Sequence, residues 1–218
     1  MAEASWPRQL AQGLDALAMS LDGRAQGRLL DYLHLLYKWN RAFNLTAVRD
    51  PGQAVSRQLL DSLAILPWVE GERIIDLGSG AGLPGIPLAI AQPDRAFTLL
   101  DSNGKKSRFL NQVRLELGLE NLEVVRARVE EYRPERGFDT LVSRAFAPLP
   151  KLVAWSEHLR NPGGCWLAMK GRYPTEELKA LPPTLAVQVH PLKVPGDPAQ
   201  RHLVHLGCRK PADSTENN

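Results

Sequence analysis

Residues 73–91 read RIIDLGSGAGLPGIPLAIA. The apolar pair Ile74 and Ile75 runs into Asp76, glycines stand at 78, 80 and 82, and a new apolar pattern begins near Gly85. The order is strand, glycine turn, helix. Glycines at alternate positions permit left-handed backbone and close approach of a ligand, and the helix start that follows presents unpaired N–H groups. A turn of this kind is suited to a flat, polar ligand.

Gly80, Gly82 and Gly85 also satisfy G-x-G-x-x-G, and Asp101 lies nineteen residues after Gly82, near the spacing of the ribose-binding acid in dinucleotide folds. Asp76 separates the possible ligands. Its carboxylate, two residues before the first glycine, would repel a pyrophosphate but attract a ligand carrying sulfonium and ammonium groups. The charge pattern therefore favours S-adenosyl-L-methionine over NAD. A second reading of Asp76 is a cap on the loop, accepting backbone N–H groups.

The chain has 218 residues, 44% hydrophobic and 23% charged, which fits one α/β domain with an extension and no fibrous or disordered class. No basic start precedes an apolar run, and no stretch approaches the roughly 20 apolar residues of a membrane span. Cys165 and Cys208 are the only cysteines and form no C-x-x-C pair. Both read as packing residues, and a reduced cytoplasmic location is expected.

The net charge of +3 is uneven along the chain. Lys and Arg against Asp and Glu number 9 against 11 in residues 1–103, 13 against 8 in 104–172, and 5 against 5 thereafter. The positive excess lies in the middle. A phosphate backbone as partner and a merely solvated basic face are both consistent with it.

Upstream of the loop, Leu10, Leu14, Leu17 and Leu21 mark one helical stripe closed by Gly23. Leu29, Leu33, Leu36 and Tyr37 face inward on a second helix with Trp39 near its end, and Asp50-Pro51 starts a third that runs through Val55, Leu59, Leu63 and Leu66 to Pro67. Residues 1–70 thus form an N-terminal helical cap. Asn40–Val48 has neither helical nor strand period, and is either a plain connection or a substrate-facing surface. Downstream, strands are expected at Ala96–Leu100, Leu122–Val125, Phe138–Val142 and Cys165–Met169, the last after an Asn161-Pro162-Gly163-Gly164 turn, with a helix over Lys105–Leu117 stopped by Gly118. Such alternation gives a parallel sheet with helices on both faces. Thr184–Val194 and His202–Cys208, joined through Pro195-Gly196-Asp197-Pro198, make a hairpin that ends the sheet with an antiparallel strand. The main domain covers 71–210, and 211–218 is a loose tail.

Ligands of open α/β sheets lie beyond the carboxyl ends of the strands. Asp76, the glycine loop with Gly78 and Gly80, Asp101, Ala127-Arg128-Val129-Glu130, Ser143-Arg144-Ala145-Phe146 and Lys170-Gly171-Arg172 converge there. Asp101 is placed to accept both ribose hydroxyls, since a carboxylate offers two acceptor oxygens. Its other reading is a helix cap. The Arg128–Glu130 segment would approach the adenine.

Further motifs carry a family likeness. DLGSGAGLPGIPLAI (76–90), LLDSNGKKSRFL (99–110), VSRAFAPLPKL (142–152) and MKG (169–171), with NLTAV (44–48) and LLDSL (59–63) upstream, resemble the bacterial small-subunit ribosomal RNA methyltransferase G family, also called glucose-inhibited division protein B. The resemblance runs from about Leu29 to Cys208, and the loop prolines Pro84 and Pro87 are specific to that family. It implies a seven-stranded, Rossmann-like class I S-adenosylmethionine methyltransferase fold and N7-methylation of one guanine in the decoding-region loop of 16S ribosomal RNA. It also implies that Gly78 and Leu83 contact the cofactor, that Val129 and Glu130 flank the adenine, and that Arg144 lines the cofactor pocket. Where the family commonly has Gly-Arg-Ala-Glu this chain has Ala127-Arg128-Val129-Glu130, a small departure where contacts are largely to backbone.

The missing motifs agree with N7 chemistry. Cytosine C5 methylation needs a cysteine nucleophile, usually behind a proline, whereas Cys165 and Cys208 follow glycines. The Asn/Asp-Pro-Pro-aromatic motif of exocyclic amine methylation is replaced by Ser143-Arg144-Ala145-Phe146. Guanine N7 carries an in-plane lone pair and no proton, so no catalytic acid or base is named, and placement and electrostatics carry the rate. Candidate RNA contacts are Arg144, Phe146, Lys170 and Arg172 at the sheet edge and Arg41 and Asn44 from the cap. Lys105, Lys106 and Arg108 are expected to hold RNA phosphates. The structural alternatives are a core role for Phe146 and an ion pair for Lys170. The expected partner is 16S ribosomal RNA within the small subunit or an assembly intermediate, met by a monomer, with no membrane and no metal. An NAD oxidoreductase and a non-catalytic RNA-binding protein are the rival classes. The first lacks a Tyr-x-x-x-Lys pair; the second would bind the cofactor and transfer nothing.

Overall fold

The computed structural model describes residues 3–207, so Cys208 and the tail 211–218 lie outside the described residues. Seven strands form one sheet in the order β3-β2-β1-β4-β5-β7-β6. They are β1 (Arg73–Leu77), β2 (Ala96–Leu100), β3 (Leu122–Val125), β4 (Phe138–Arg144), β5 (Arg160–Lys170), β6 (Val187–Val194) and β7 (Asp197–Leu206). The first five are mutually parallel; β7 is antiparallel to both β5 and β6. The antiparallel strand is therefore last in the chain but sits inside the sheet, and β6 forms the edge. A parallel sheet has both faces covered, so its central strands are apolar on both sides. Ile74, Leu99, Val142, Leu167 and Leu203 face one core, and Ile75, Leu77, Leu141, Trp166 and Val204 face the other.

The first core is roofed by the N-terminal helices α1 (Trp6–Ala16) and α2 (Gly23–Phe43), together with α4 (Gly85–Ala91) and α5 (Gly104–Glu116). Between α2 and α4 lies the single turn α3 (Asp61–Leu63). The second core is covered by α6 (Leu149–Ser156), and α7 (Thr175–Lys179) follows β5. Neither α6 nor α7 was singled out by periodicity.

Four local expectations change. The first helix stops at Ala16, because Asp22 caps α2 by accepting the Ala25 amide at 2.7 Å; Gly23 opens the second helix and does not close the first. Next, α2 runs to Phe43, so Asn40 and Arg41 belong to its last turn, and Asn44 ends it in left-handed backbone at φ 49°.

The third helix is broken into a 3-10 turn at Pro51–Gln53, a π-helical turn at Val55–Leu60, α3, and a 3-10 turn at Leu66–Trp68. In the π turn the Arg57 carbonyl accepts the Arg144 guanidinium at 3.2 Å and the Gln58 carbonyl accepts the Ser62 hydroxyl at 2.6 Å. π turns often mark functional positions. Finally, Asn161-Pro162-Gly163-Gly164 lies inside β5, in an irregularity between the Arg160–Phe138 and Cys165–Thr140 pairs. Pro162 has no N–H to give the ladder, and a bulge accommodates it. Among the described residues no helix is long and apolar enough to cross a membrane.

Candidate active site

The turn after β1 is tied down from three sides. The Gly78 and Ser79 amides donate to the Leu100 carbonyl of β2 at 2.8 and 3.1 Å, the Ser79 hydroxyl donates to the Asp76 carbonyl at 2.8 Å, and the Tyr32 hydroxyl donates to the Ala81 carbonyl at 2.7 Å. Tyr32 is wholly buried on α2, and burial drives its phenol pKa far above the ordinary value. At Gly78, with φ 67°, an added Cβ would stand 2.3 Å from the Phe146 ring. Only glycine lets that ring lie on the loop.

Asp76 supports the loop from beneath. It is 1% exposed, borders neither half of the cavity described below, and its Oδ2 accepts the Gly85 amide at 3.0 Å while its Oδ1 is buried with no hydrogen-bond partner among the described residues. The Gly85 bond is the contact that the loop-cap reading of Asp76 expects. Burial pushes its carboxyl up to about 7, opposed by the Gly85 amide and Arg144 and aided by Asp101.

Asp101 also serves the loop. Its Oδ2 accepts the Gly80 amide at 2.9 Å with Lys106 Nζ 3.8 Å away, and its Oδ1 accepts the Asn103 amide at 2.8 Å. A carboxylate has about four acceptor positions, so two remain for a ribose. Asp101 lines a recess of about 320 Å³ with Gly78, Ala127, Arg128, Val129, Glu130, Phe146 and Trp155. Val129 and Glu130 thus share one recess with Asp101. Phe146, expected to face RNA, packs there on Gly78 and edge-on against Trp155 at 6.1 Å.

A second compartment of about 640 Å³ shares Gly78, Lys106 and Ala145 with the first. Gly80, Leu83, Arg144, Lys170 and Met169 line it, as do Leu45–Val48 from the segment after α2. Ala145 adopts φ 54°, uncommon for a residue with a Cβ. That backbone reversal sends Arg144 into the large compartment and Phe146 into the small one.

The large compartment carries charges that periodicity did not mark. Asp61, 3% exposed, accepts Arg144 Nη1 on Oδ2 at 3.0 Å and Arg201 Nε on Oδ1 at 3.0 Å. Arg201 Nη2 reaches Asp197 at 2.7 Å, and Arg57 Nε stands 3.7 Å from the same carboxylate. Tyr32, Arg57, Asp61 and Arg201 are functional candidates that the sequence reading missed. Asp61 did stand within the quoted LLDSL motif, and a charge hemmed by Leu59, Leu60 and Leu63 was the available signal.

The remaining expected RNA contacts separate. Lys105 and Arg108 are exposed on the first turns of α5, whereas Lys106 turns toward Asp101. Lys170 Nζ is bound by Glu177 at 2.7 Å and by the Ala147 carbonyl at 3.3 Å, the ion-pair alternative. Arg172 is exposed and does not line the cavity. Arg41 and Asn44 face a separate recess with Tyr37, Asn40 and Arg49, which shares no lining residue with the large compartment.

The two compartments fit S-adenosyl-L-methionine: a recess with an acceptor carboxylate for the nucleoside, glycine backbone at the join, and room for a second reactant beyond. The solved O-methyltransferase of Bacillus cereus in complex with SAH superposes with a TM-score of 0.58 at 16% identity, covering 89% of this chain and 95% of that one. The Streptomyces achromogenes O-methyltransferase TomG in complex with SAM gives 0.56 at 15% identity, covering 82% and 90%. These likenesses establish the fold. The family model for rRNA small subunit methyltransferase G matches residues 25–204. Proteins named ribosomal RNA small subunit methyltransferase G are 57% identical in Pseudomonas aeruginosa (strain UCBPP-PA14), over 92% of this chain and 94% of that one, and 55% in Stutzerimonas stutzeri (strain A1501), over 93% and 95%. The chain belongs to the rRNA small subunit methyltransferase G family, and is an S-adenosylmethionine-dependent methyltransferase.

Proposed function

We propose that this chain methylates N7 of one guanine in the decoding-region loop of 16S ribosomal RNA, using the small compartment for the adenosine of the cofactor and the large one for the target base. The observation that carries the reading is the continuity of the two compartments at Gly78 and Ala145, which sets a cofactor-sized recess against a chamber open to a second reactant. Gly78, Gly80, Leu83, Asp101, Val129 and Glu130 hold the cofactor, and Asp76 shapes the loop that does so.

Bound S-adenosylmethionine supplies a methyl group on a sulfonium, which the N7 lone pair accepts in line while the C–S bonding electrons remain on sulfur. No proton is removed, so the chain's residues act by placement and electrostatics. Leu45, Val48, Met169 and Leu192 give the chamber an apolar wall that displaces water. Arg144, Arg201 and Arg57 would repel a cationic donor, but Asp61 and Asp197 offset their charge at 3.0, 2.7 and 3.7 Å. Arg57 is the guanidinium most open to solvent, and holds the phosphate of the incoming nucleotide.

The substrate in this reading is a small ribosomal subunit or an assembly intermediate, met in the cytoplasm by a monomer. Exposed basic groups on two packed helices and the segment after α2, Lys105 and Arg108 on α5 and Arg41 and Arg49 at and beyond the end of α2, offer contacts to RNA phosphates. Among the described residues the exposed large apolar side chains are Phe43, Leu115, Tyr173 and Val187, at four separate places in the chain, which favours the monomer. Labelled methyl transfer to unmodified 30S particles and to protein-free 16S RNA tests the substrate form. A higher kcat/KM on particles supports it, and a higher value on free RNA contradicts it.

A further inference from the structure

Tyr173 is an exposed aromatic side chain close to the large compartment but outside its lining. It is 53% exposed and stands three residues beyond the end of β5. Its ring meets His202 edge-on, with centroids 5.7 Å apart and planes at 88°. His202 pairs across the sheet with Lys170, and both residues line the large compartment, as does Gly171. Tyr173 itself does not line it. The ring thus stands at the rim, oriented by an aromatic neighbour that belongs to the wall.

The other exposed aromatic with low coverage, Phe43, is held against Trp39 at 5.3 Å, and Trp39 against Phe109 at 5.5 Å, on the side of α2. Tyr173 has no such stack, and its neighbour in sequence is the exposed cation Arg172. An oriented ring beside a guanidinium, at the entrance of a chamber lined by Arg57 and Arg201, is the arrangement that receives single-stranded nucleic acid: cations track the backbone and the ring accepts a base on its π-face. A base that entered the chamber would lie beyond Tyr173. A base stacked on Tyr173 stays outside.

We infer that Tyr173, backed by His202, is the platform for the RNA base next to the target guanine, holding the strand in the splayed form that lets the target turn into the chamber. The inference rests on the ribosomal RNA reading above and adds to it the residue that grips the flanking nucleotide. Tyr173 lines neither compartment, so its action is on the RNA strand and not on the cofactor.

Steady-state methyl transfer to unmodified 30S particles tests it, with wild type, Tyr173→Ala and Tyr173→Phe compared at two salt concentrations. Loss of one base stack lowers kcat/KM for RNA by about 5- to 100-fold in Tyr173→Ala. Tyr173→Phe stays within about twofold, because stacking uses the ring and not the hydroxyl. The loss is the same factor at both salt concentrations, since no phosphate contact is removed, and the dissociation constant for S-adenosylmethionine is unchanged. The side chain is exposed, so unfolding midpoints match wild type. Wild-type kinetics in Tyr173→Ala, a Phe variant as impaired as the Ala variant, or a defect that changes with salt overturns the inference. A wild-type enzyme that transfers nothing to ribosomal RNA overturns the underlying reading instead.

Discussion

The Gly85 amide donates to Asp76 Oδ2 at 3.0 Å across the base of the glycine turn, and an added Cβ at residue 85 would stand 2.7 Å from that same oxygen and 2.2 Å from Leu99. The bond leaves the buried carboxyl with a pKa of about 7, against an ordinary 3.8, because burial outweighs the amide. An acid whose folded pKa is raised binds more protons folded than unfolded between those two values. Its contribution to stability therefore falls as pH rises from about 4 to about 7.

Asp76→Asn keeps an acceptor for the Gly85 amide and removes the ionisation. Relative to wild type, the variant gains stability as pH rises through that window and levels off above it. Urea midpoints at pH 5 and pH 8 measure the difference, and an equal offset at both pH values contradicts the assignment.

Asp61 joins the π turn to two strands through Arg144 and Arg201. Asp61→Ala leaves two partly buried guanidinium groups without their shared carboxylate, a change that costs about 3–5 kcal/mol where such pairs are buried. Denaturant unfolding checks the stability. Methyl transfer by the less disruptive Asp61→Asn, measured where the variant is fully folded, falls at least tenfold if the two arginines need fixed positions.

Gly78 and Phe146 are coupled because the ring occupies the space a Cβ would need. Gly78→Ala is strained by positive φ and by the contact, and lowers affinity for S-adenosylmethionine by tenfold or more. Phe146→Ala relieves the contact, so the double variant loses less than the sum of the single changes. Calorimetric titration of the four proteins closes the cycle; strict additivity would contradict the packing.

Lys105 and Arg108 are exposed on one side of α5, and Lys106 is turned to Asp101. Changing Lys105 and Arg108 to Glu weakens binding to ribosomal RNA and reduces the salt slope of log K by about two. Affinity for the cofactor is retained. Filter binding across a salt series checks both, and an unchanged slope removes these residues from the RNA surface.

Short strands rich in apolar and β-branched residues were legible to the residue: Ala96–Leu100 and Leu122–Val125 match β2 and β3. Val, Leu and Phe bounded by turn residues carry that signal in the buried β2 and in the edge strand β3 alike. Asn161–Gly164 reads as a turn because its residues favour one, yet pairing of Arg160 with Phe138 draws it into β5. Local composition does not record a distant partner. The same applies to Asp61 and Arg201, which meet at 3.0 Å although 140 residues apart. A buried acid on an irregular helix looks, in sequence, like its solvated face. Phe146 follows β4 at the carboxyl edge of the sheet, but whether it turned to the large compartment or to the recess with Asp101 depended on the φ of Ala145, and alanine gives no hint of left-handed backbone.

The most direct measurement is transfer of labelled methyl from S-adenosylmethionine to 30S particles from cells lacking this gene, with the label mapped by base and by atom. The account predicts label at N7 of a single guanine in the decoding-region loop of 16S RNA. Label at another atom or spread over several bases, or no transfer while S-adenosylmethionine still binds, would contradict it.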